Sequence, residues 1–332
     1  MTVVAGLPVH MFIRDARAGE PETIARVVRE IEEMGFWGVS VSHHLSDPGL
    51  STLGHAGGEL VNWRYADPIA ILSYLAAVSK KVRLIPWVMV LPYRRPVELA
   101  HGLATIDSLS GGRLVFGAGA GSQESEFKLV GASRKERGRI TDEWLDVVIE
   151  LWTNPKATYS GRYTDFENVN LAVKPVQKPR PPIWIGGASR AAVLRAIRVG
   201  DVWAPPAFGF PRDRTDTETR DRGSVTAQEL RDEIVWANEQ RAAQGKPPLQ
   251  CVASSGIPLT FLEKSEGGRS GSRKDVGYFT ARGTPDELLE EFLAFKEAGA
   301  DYYMVKFTGD TPDDYLRDAE TFARHIMPHL GG

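Results

Sequence analysis

The chain predicts an α/β fold, a (β/α)8 barrel enlarged by insertions, on three observations. Short apolar strands alternate with amphipathic helices along its length. The 332 residues, 42% of them hydrophobic, match a barrel of roughly 250 residues plus insertions. Two long glycine-bearing stretches, 45–66 and 257–283, follow strands, and loops after strands build a barrel's mouth. A doubly wound open sheet gives the same alternation, and strand order is the feature that separates the two.

Taken in order, PVHMFI (8–13) reads as the first strand, and Pro21-Glu22-Thr23 opens a helix with Ile24, Val27, Val28, Ile31 and Met34 at helical spacing. GVSVS (38–42) is the second strand, and Asp67-Pro68 starts the helix after it. VRLIPWVMV (82–90) is the third, followed by a helix with Pro96 near its start. RLVFGAG (113–119) is the fourth, with the amphipathic run RGRITDEWLDVVIELW (137–152) beyond it. PIWIG (182–186), DVWAP (201–205), QCVASSG (250–256) and DYYMVKF (301–307) supply strands five to eight, separated and closed by helical segments. Residues 153–180 read as an irregular excursion with a hairpin, and 208–225 as a charged insertion. The whole of 1–332 is expected to form one domain.

The net charge of −3 gives no basic field for nucleic acid or a membrane surface. One cysteine, Cys251, excludes a disulfide within the chain and a cysteine-based zinc site. No apolar run is long enough to span a bilayer, and the first residues lack the pattern of a secretory leader. A cytoplasmic protein acting on a small molecule is the expectation.

Three motifs carry chemistry. Gly117-Ala118-Gly119-Ala120-Gly121-Ser122 follows the fourth strand, and such a run lets the backbone wrap a ring or a phosphate. A tight strand-to-loop turn explains it equally well. Ile183 to Arg190 runs from a strand through Gly186-Gly187 into a helix start, where backbone amides attract anions. Ser189 as a plain helix cap is the alternative there. His43-His44 ends the second strand, where an imidazole near neutral pH serves as acid or base. A structural histidine pair is the competing reading, and metal binding is disfavoured because no further ligands lie at suitable spacing. Arg94-Arg95, Arg137, Arg139 and Glu143 read as helix-start or surface groups, and the acidic runs as solvated helix faces.

Nearly the whole chain resembles the luciferase-like monooxygenase superfamily. The resemblance is strongest in LPYRRPVELAHGLATIDSLSGGRLVFGAGAGSQESEF (91–127), which is similar to the pattern P..R.P..lA...atLD.lSgGR...G.G.G...E. RGRITDEWLDVVIELW, YSGRYTDF and KPVQKPRPPIWIGGASRAAVLRAIRVGDVWAP extend it. LPYRRPVELA is closest in pattern to the deazaflavin branch.

The resemblance implies a cofactor ring at the strand C-termini. The ring would rest on Trp87 and Val88, joined by a non-prolyl cis peptide, with Gly119 and Gly121 beside it. A phosphate would lie against Gly186, Gly187, Ala188, Ser189 and Arg190, while Ser122, Gln123 and Ser125 would contact the cofactor's side chain. His44 aligns with the active-site histidine, with His43 beside it as a second catalytic candidate. Relatives carry Asp or Glu where this chain has His43, and some carry an acidic or bulky residue at Ser122.

The implied function is hydride transfer between coenzyme F420 and a small organic substrate. The alternatives are an FMN-dependent monooxygenase using O2 and a non-catalytic flavin-binding relative. Arg212, Arg214, Arg220, Arg222, Arg269 and Arg273 would line an exit for the deazaflavin's acidic tail, or are solvated loop charge. Trp63, Tyr65, Phe208, Phe210 and Tyr278 would line an apolar pocket, or pin their loops. A homodimer through the second and third helices is expected from the resemblance alone.

Overall fold

A computed structural model describes residues 1–7, 21–46, 65–205, 227–254, 259–264, 282–307 and 311–331. The strands are β1 (Thr2–Gly6), β2 (Gly38–Val41), β3 (Arg83–Pro86), β4 (Met89–Val90), β5 (Phe116–Gly119), β6 (Ala157–Ser160), β7 (Asp165–Val169), β8 (Ile183–Gly186), β9 (Val202–Ala204), β10 (Gln250–Ser254), β11 (Thr260–Phe261), β12 (Arg282–Gly283) and β13 (Tyr302–Lys306). The helices are α1 (Pro21–Glu33), α2 (Pro68–Val78), α3 (Pro96–Leu109), α4 (Glu124–Leu129), α5 (Arg137–Thr153), α6 (Arg190–Val199), α7 (Ala227–Ala243), α8 (Pro285–Glu297), α9 (Pro312–His325) and α10 (Met327–Leu330).

Strand order settles the topology. The main sheet runs β3-β2-β1-β13-β10-β9-β8-β5-β4, with neighbouring strands parallel. First and last strands are neighbours, which an open doubly wound sheet does not give. The two ends of the order, β3 and β4, are halves of one strand interrupted at the cis peptide Trp87-Val88. β4 pairs with β5, and Leu84 of β3 also bridges Leu114, so the sheet curls back on itself as a barrel.

The first strand corrects the sequence expectation. It is Thr2–Gly6, and the expected segment 8–13 lies outside the described residues. Val3 and Ala5 pack outward against the helices while Val4 packs inside the barrel. A strand buried on both faces reads as an unbroken apolar run, without the alternation that marks a half-buried strand.

Side-chain alternation sorts the barrel residues into two cores. The outer one joins the strands to α1 through Val27, Val28 and Ile31, to α2 and α3, and to the other helices. The inner one holds Val4, Ile85, Val115, Trp184, Val202, Val252 and Met304, with Trp37, Trp87 and Tyr302 packed on it. Trp37 stacks on Trp184 at 5.9 Å, and Tyr302 lies 4.9 Å from Trp184. These rings sit at the starts of their strands and plug the barrel's N-terminal half. Toward the strand ends the inward positions include Gly6, Gly117, Gly119 and Gly186, whose missing side chains admit the Lys306 stem, the Pro86 carbonyl and the Val88 side chain.

Helix starts follow local rules. Asp67 accepts from the amides of Ile69 and Ala70 ahead of α2. Thr284 and Glu287 form a reciprocal capping box on α8. The expected excursion 153–180 contains the antiparallel hairpin β6–β7. It lies along α5: Glu150 accepts from Thr158 N, Glu143 from the amides of Arg162 and Tyr163, and Glu136 from Tyr163 Oη.

Much of the strongest sequence motif proves to be framework. Arg113 donates to the carbonyls of Ala76, Ser79, Val82 and Ser110 and to Ser79 Oγ, tying α2 and α3 to the start of the fourth strand. Asp107 is fully buried and accepts from Val176 N at 2.8 Å, Gln177 N at 3.1 Å and Gln177 Nε2 at 2.7 Å. Replacing Asp107 by Ala strands two backbone amides and a side-chain amide. Urea denaturation of Asp107→Ala is expected to show a loss of about 3 kcal/mol, since hydrogen bonds to a charged acceptor contribute about 1.5–3 kcal/mol each and stranded donors add a penalty.

Candidate functional site

The site forms where β2, the interrupted third strand, β5 and β8 end. Val88 follows the cis bond and its side chain reaches across to the next two barrel strands. A Cβ on Gly119 would collide with Val88 Cγ2, and one on Gly186 would lie 2.9 Å from Val88 Cγ1. Two residues further along the same pair of strands, a Cβ on Gly121 would lie 2.5 Å from Val90 Cγ1, and Gly121 has φ +76°. The glycines are therefore required by contact with the bulge. Together they make a side-chain-free trough with the Val88 isopropyl group as its ridge.

Beyond this trough, α6 begins at Ser189. Gly187 adopts φ +122°, its amide donates to Ala204 O, and its carbonyl accepts from Trp203 Nε1 at 2.8 Å. Ser189 Oγ accepts from Ala192 N at 3.3 Å, so Ser189 caps the helix, as the alternative reading had it. The first-turn amides of α6 have no carbonyl one turn earlier and can receive an anion. Arg190 points elsewhere: its guanidinium pairs with Glu233 at 2.5 Å and lies 3.7 Å from the Trp236 ring. Any phosphate contact from Arg190 falls to its backbone.

The two histidines have different surroundings. His43 is 2% exposed, and its Nδ1 accepts from Val90 N at 2.9 Å. It thereby holds the outgoing limb of the bulge and carries its proton on Nε2. Burial first, then the nearby charges of Arg94 and His44, push its pKa down to about 3, against a smaller upward pull from Glu126. His44 is partly exposed, with Tyr65 4.6 Å away ring to ring.

The sequence reading missed Glu126. This carboxylate, on α4, is 1% exposed. Its oxygens lie 3.2 and 3.3 Å from His44 Nδ1, accept from Leu45 N at 2.7 Å and Ser46 N at 3.4 Å, and accept from Tyr93 Oη at 3.0 Å. Burial opposes ionisation of Glu126, but the hydrogen bonds from His44 and the two amides outweigh it and lower the pKa. Burial, with the Glu126 charge behind it, raises the Tyr93 pKa and keeps the phenol a donor. The carboxylate absent at position 43 is thus delivered to the histidine from 82 residues away.

The remaining expectations divide. Ser122 and Gln123 are partly buried at the start of α4, and Ser122 O accepts from Arg134 Nε at 3.0 Å. Ser125 is exposed on that helix. Tyr65 joins the site through His44. Trp63, Phe208, Phe210, Tyr278 and Arg212, Arg214, Arg220, Arg222, Arg269 and Arg273 lie outside the described residues. Among the described residues no group of three His, Cys, Asp or Glu could hold a metal ion, and no helix is long and apolar enough to cross a membrane.

Comparison with known proteins places this geometry. The model of the luciferase-like monooxygenase family matches residues 4–233. The chain belongs to that family. It is an oxidoreductase of the flavin- or deazaflavin-dependent kind that the family comprises. It is 32% identical over 191 residues to the uncharacterized protein y4vJ of Sinorhizobium fredii, spanning 57% of this chain and about half, 52%, of that protein. It is 24% identical over 336 residues to an FMNH2-dependent dimethylsulfone monooxygenase of Pseudomonas putida, covering 91% of both chains. It is 30% identical over 325 residues to an F420-dependent glucose-6-phosphate dehydrogenase of Nakamurella multipartita, covering 94% of this chain and 87% of the other. Among solved structures, the monooxygenase RslO1 of Streptomyces bottropensis superposes with a TM-score of 0.76 at 20% identity, each chain fully covered.

The lowered pKa of His43 has a stability consequence. Below about pH 6.5 the unfolded chain takes up a proton at this position that the folded chain refuses until about pH 3. Stability at this site is therefore full above pH 6.5 and is lost as pH falls through that window. His43→Gln keeps an acceptor for Val90 N and removes the titration. Urea titrations at pH 6.5 and 5.0 should show a smaller acid-induced loss in the variant than in the wild type, by about 1–2 kcal/mol.

Proposed function

We propose that this protein transfers hydride between coenzyme F420 and a small organic substrate at the barrel mouth, with His44 as the acid–base group. The observation that carries the reading is the His44–Glu126 pair beside the Val88 ridge. An imidazole held by a buried carboxylate suits proton transfer at the oxygen of an alcohol or carbonyl. The dehydrogenase from N. multipartita, a relative along most of the chain, supports the choice of cofactor.

The residues present fit the cofactor. The glycine trough at Gly119, Gly121 and Gly186 admits a planar ring over Val88, and Trp87 stands on the same bulge. The start of α6, with Gly186, Gly187, Ala188, Ser189 and the Arg190 amide, suits a phosphate. Ser122, Gln123 and Ser125 would meet the tail. The bound deazaflavin supplies the hydride chemistry.

The chain's own groups do the rest. Ionised Glu126 accepts from His44 Nδ1–H, which leaves Nε2 as the basic nitrogen toward the mouth. Nε2 takes the hydroxyl proton of an alcohol as hydride leaves its carbon, or returns it to the oxygen in reduction. Glu126 steadies the imidazolium formed in between. Tyr93 and the Leu45 and Ser46 amides hold Glu126, so the pair keeps its geometry through turnover. We assign His43 a positioning role, through Val90 N, and leave acid–base work to His44.

A second reading is an FMN-dependent monooxygenase using O2, favoured by the P. putida relative, which matches over 91% of both chains. The same trough and helix start serve FMN, and His44 would then control proton delivery in the pocket. A homodimer through α2 and α3 accompanies either reading as a proposal.

Equilibrium binding separates them. Fluorescence titration is expected to give at least tenfold tighter binding of F420 than of FMN, and the reverse preference would reject the deazaflavin assignment. Followed by F420 absorbance, Glu126→Gln should lower kcat about 10²-fold, with cofactor affinity unchanged within twofold.

A further inference from the structure

Two polar side chains in the barrel interior have no task in the scheme above. Lys306 ends β13. Tyr303 and Val305 of that strand face the outer core, whereas Tyr302 and Met304 face the barrel interior. By alternation Lys306 faces the interior too, one layer nearer the mouth than Met304. Its stem crosses β1: a Cβ on Gly6, its register partner, would lie 2.8 Å from Lys306 Cγ. Glycine at position 6 is what lets the lysine lean over the neighbouring strand, toward the β2 side of the barrel that carries His44.

Among the described residues no carboxylate pairs with Lys306. Burial lowers its pKa, and no acidic group pulls the other way. A partly buried cation without a counter-ion is costly unless something else compensates it. On the strand to the other side, Ser254 ends β10. Val252 faces the interior and Cys251 and Ala253 face out, so Ser254 faces in. It is 1% exposed, and its Oγ has no hydrogen-bond partner among the described residues. An ammonium and a hydroxyl, both unspent, therefore stand at the C-terminal ends of adjacent strands, with Ser254 in register with Met304.

We propose that Lys306 anchors an anionic oxygen of the substrate, with Ser254 as an accessory donor, so that the substrate is a small organic acid bearing a carboxylate or sulfonate. This deepens the proposed function and rests on it only in taking the mouth as the substrate site. The anion would compensate the lysine and leave the reacting carbon free to face the ring and His44. A neutral alcohol or sulfone of the same size leaves the ammonium uncompensated and binds less well.

The test uses the 332-residue chain without cofactor, so its outcome is independent of whether F420 or FMN binds. Butanesulfonate and butanoate are the probes, butanamide is the neutral control, and calorimetry reads affinity. Lys306→Met should weaken both anions at least tenfold and Lys306→Arg should keep them within threefold. Ser254→Ala should weaken them about threefold, and butanamide should bind less tightly than butanoate to the wild type. Saturable movement of the Lys306 ε-methylene NMR signal on adding butanesulfonate to the wild type places the anion at that residue, whatever the folding of the variants. An unmoved Lys306 signal, equal affinities in wild type and a folded Lys306→Met, or equal affinity for butanoate and butanamide would overturn the proposal. Loss of cofactor affinity in Lys306→Met with anion binding intact would also overturn it, because the ammonium would then serve the cofactor.

Discussion

A single buried carboxylate organises the mouth of this barrel. Glu126 has almost no contact with solvent, yet it stays ionised because its neighbours present donors to it: an imidazole, two backbone amides and a phenol. These donors come from two separate pieces of chain, and the carboxylate from a third. His44, Leu45 and Ser46 leave β2, Tyr93 follows β4, and Glu126 itself rides on the short α4. A charge in such a place is tolerable only when fully partnered. The requirement runs both ways, since the carboxylate also fixes where the loop after β2 begins and how the imidazole is turned. The orientation of His44 is thus a property of the tertiary fold more than of its own strand.

A second constraint is steric and lies next to the first. The third barrel strand breaks at Trp87-Val88, and the pushed-in Val88 side chain occupies space that Cβ atoms on β5 and β8 would need. The glycines there are complementary to the bulge. His43 joins the two constraints, because its Nδ1 binds the amide of Val90 just past the bulge while the next residue engages Glu126. Family membership, the barrel and the convergence of these segments agree with one another.

Most of the barrel was legible because it rests on local rules. The alternation of strand and helix, the caps at Asp67, Ser189 and Thr284, and the proline-led helix starts are short-range patterns. The first strand was misplaced because Thr2–Gly6 is buried on both faces and lacks a period-2 signal. Glu126 was overlooked for a different reason. SQESEF holds Glu124 and Glu126 two residues apart, and nothing local says that one is exposed and the other buried. Its partner lies 82 positions away. The family pattern closes on an acidic residue, but its spacing falls at Ser125 and singles out neither glutamate. The same limit governs Arg190, whose sequence context suits an anion although its guanidinium is drawn to Glu233 and Trp236 on α7.

The acid–base role of His44 depends on which of its nitrogens carries the proton. Histidine-selective 15N NMR at pH 8 reports this directly. A proton on Nδ1, with Nε2 bare and the pattern lost in Glu126→Gln, is the predicted result. A neutral His44 protonated on Nε2, or one indifferent to the charge at position 126, would contradict it.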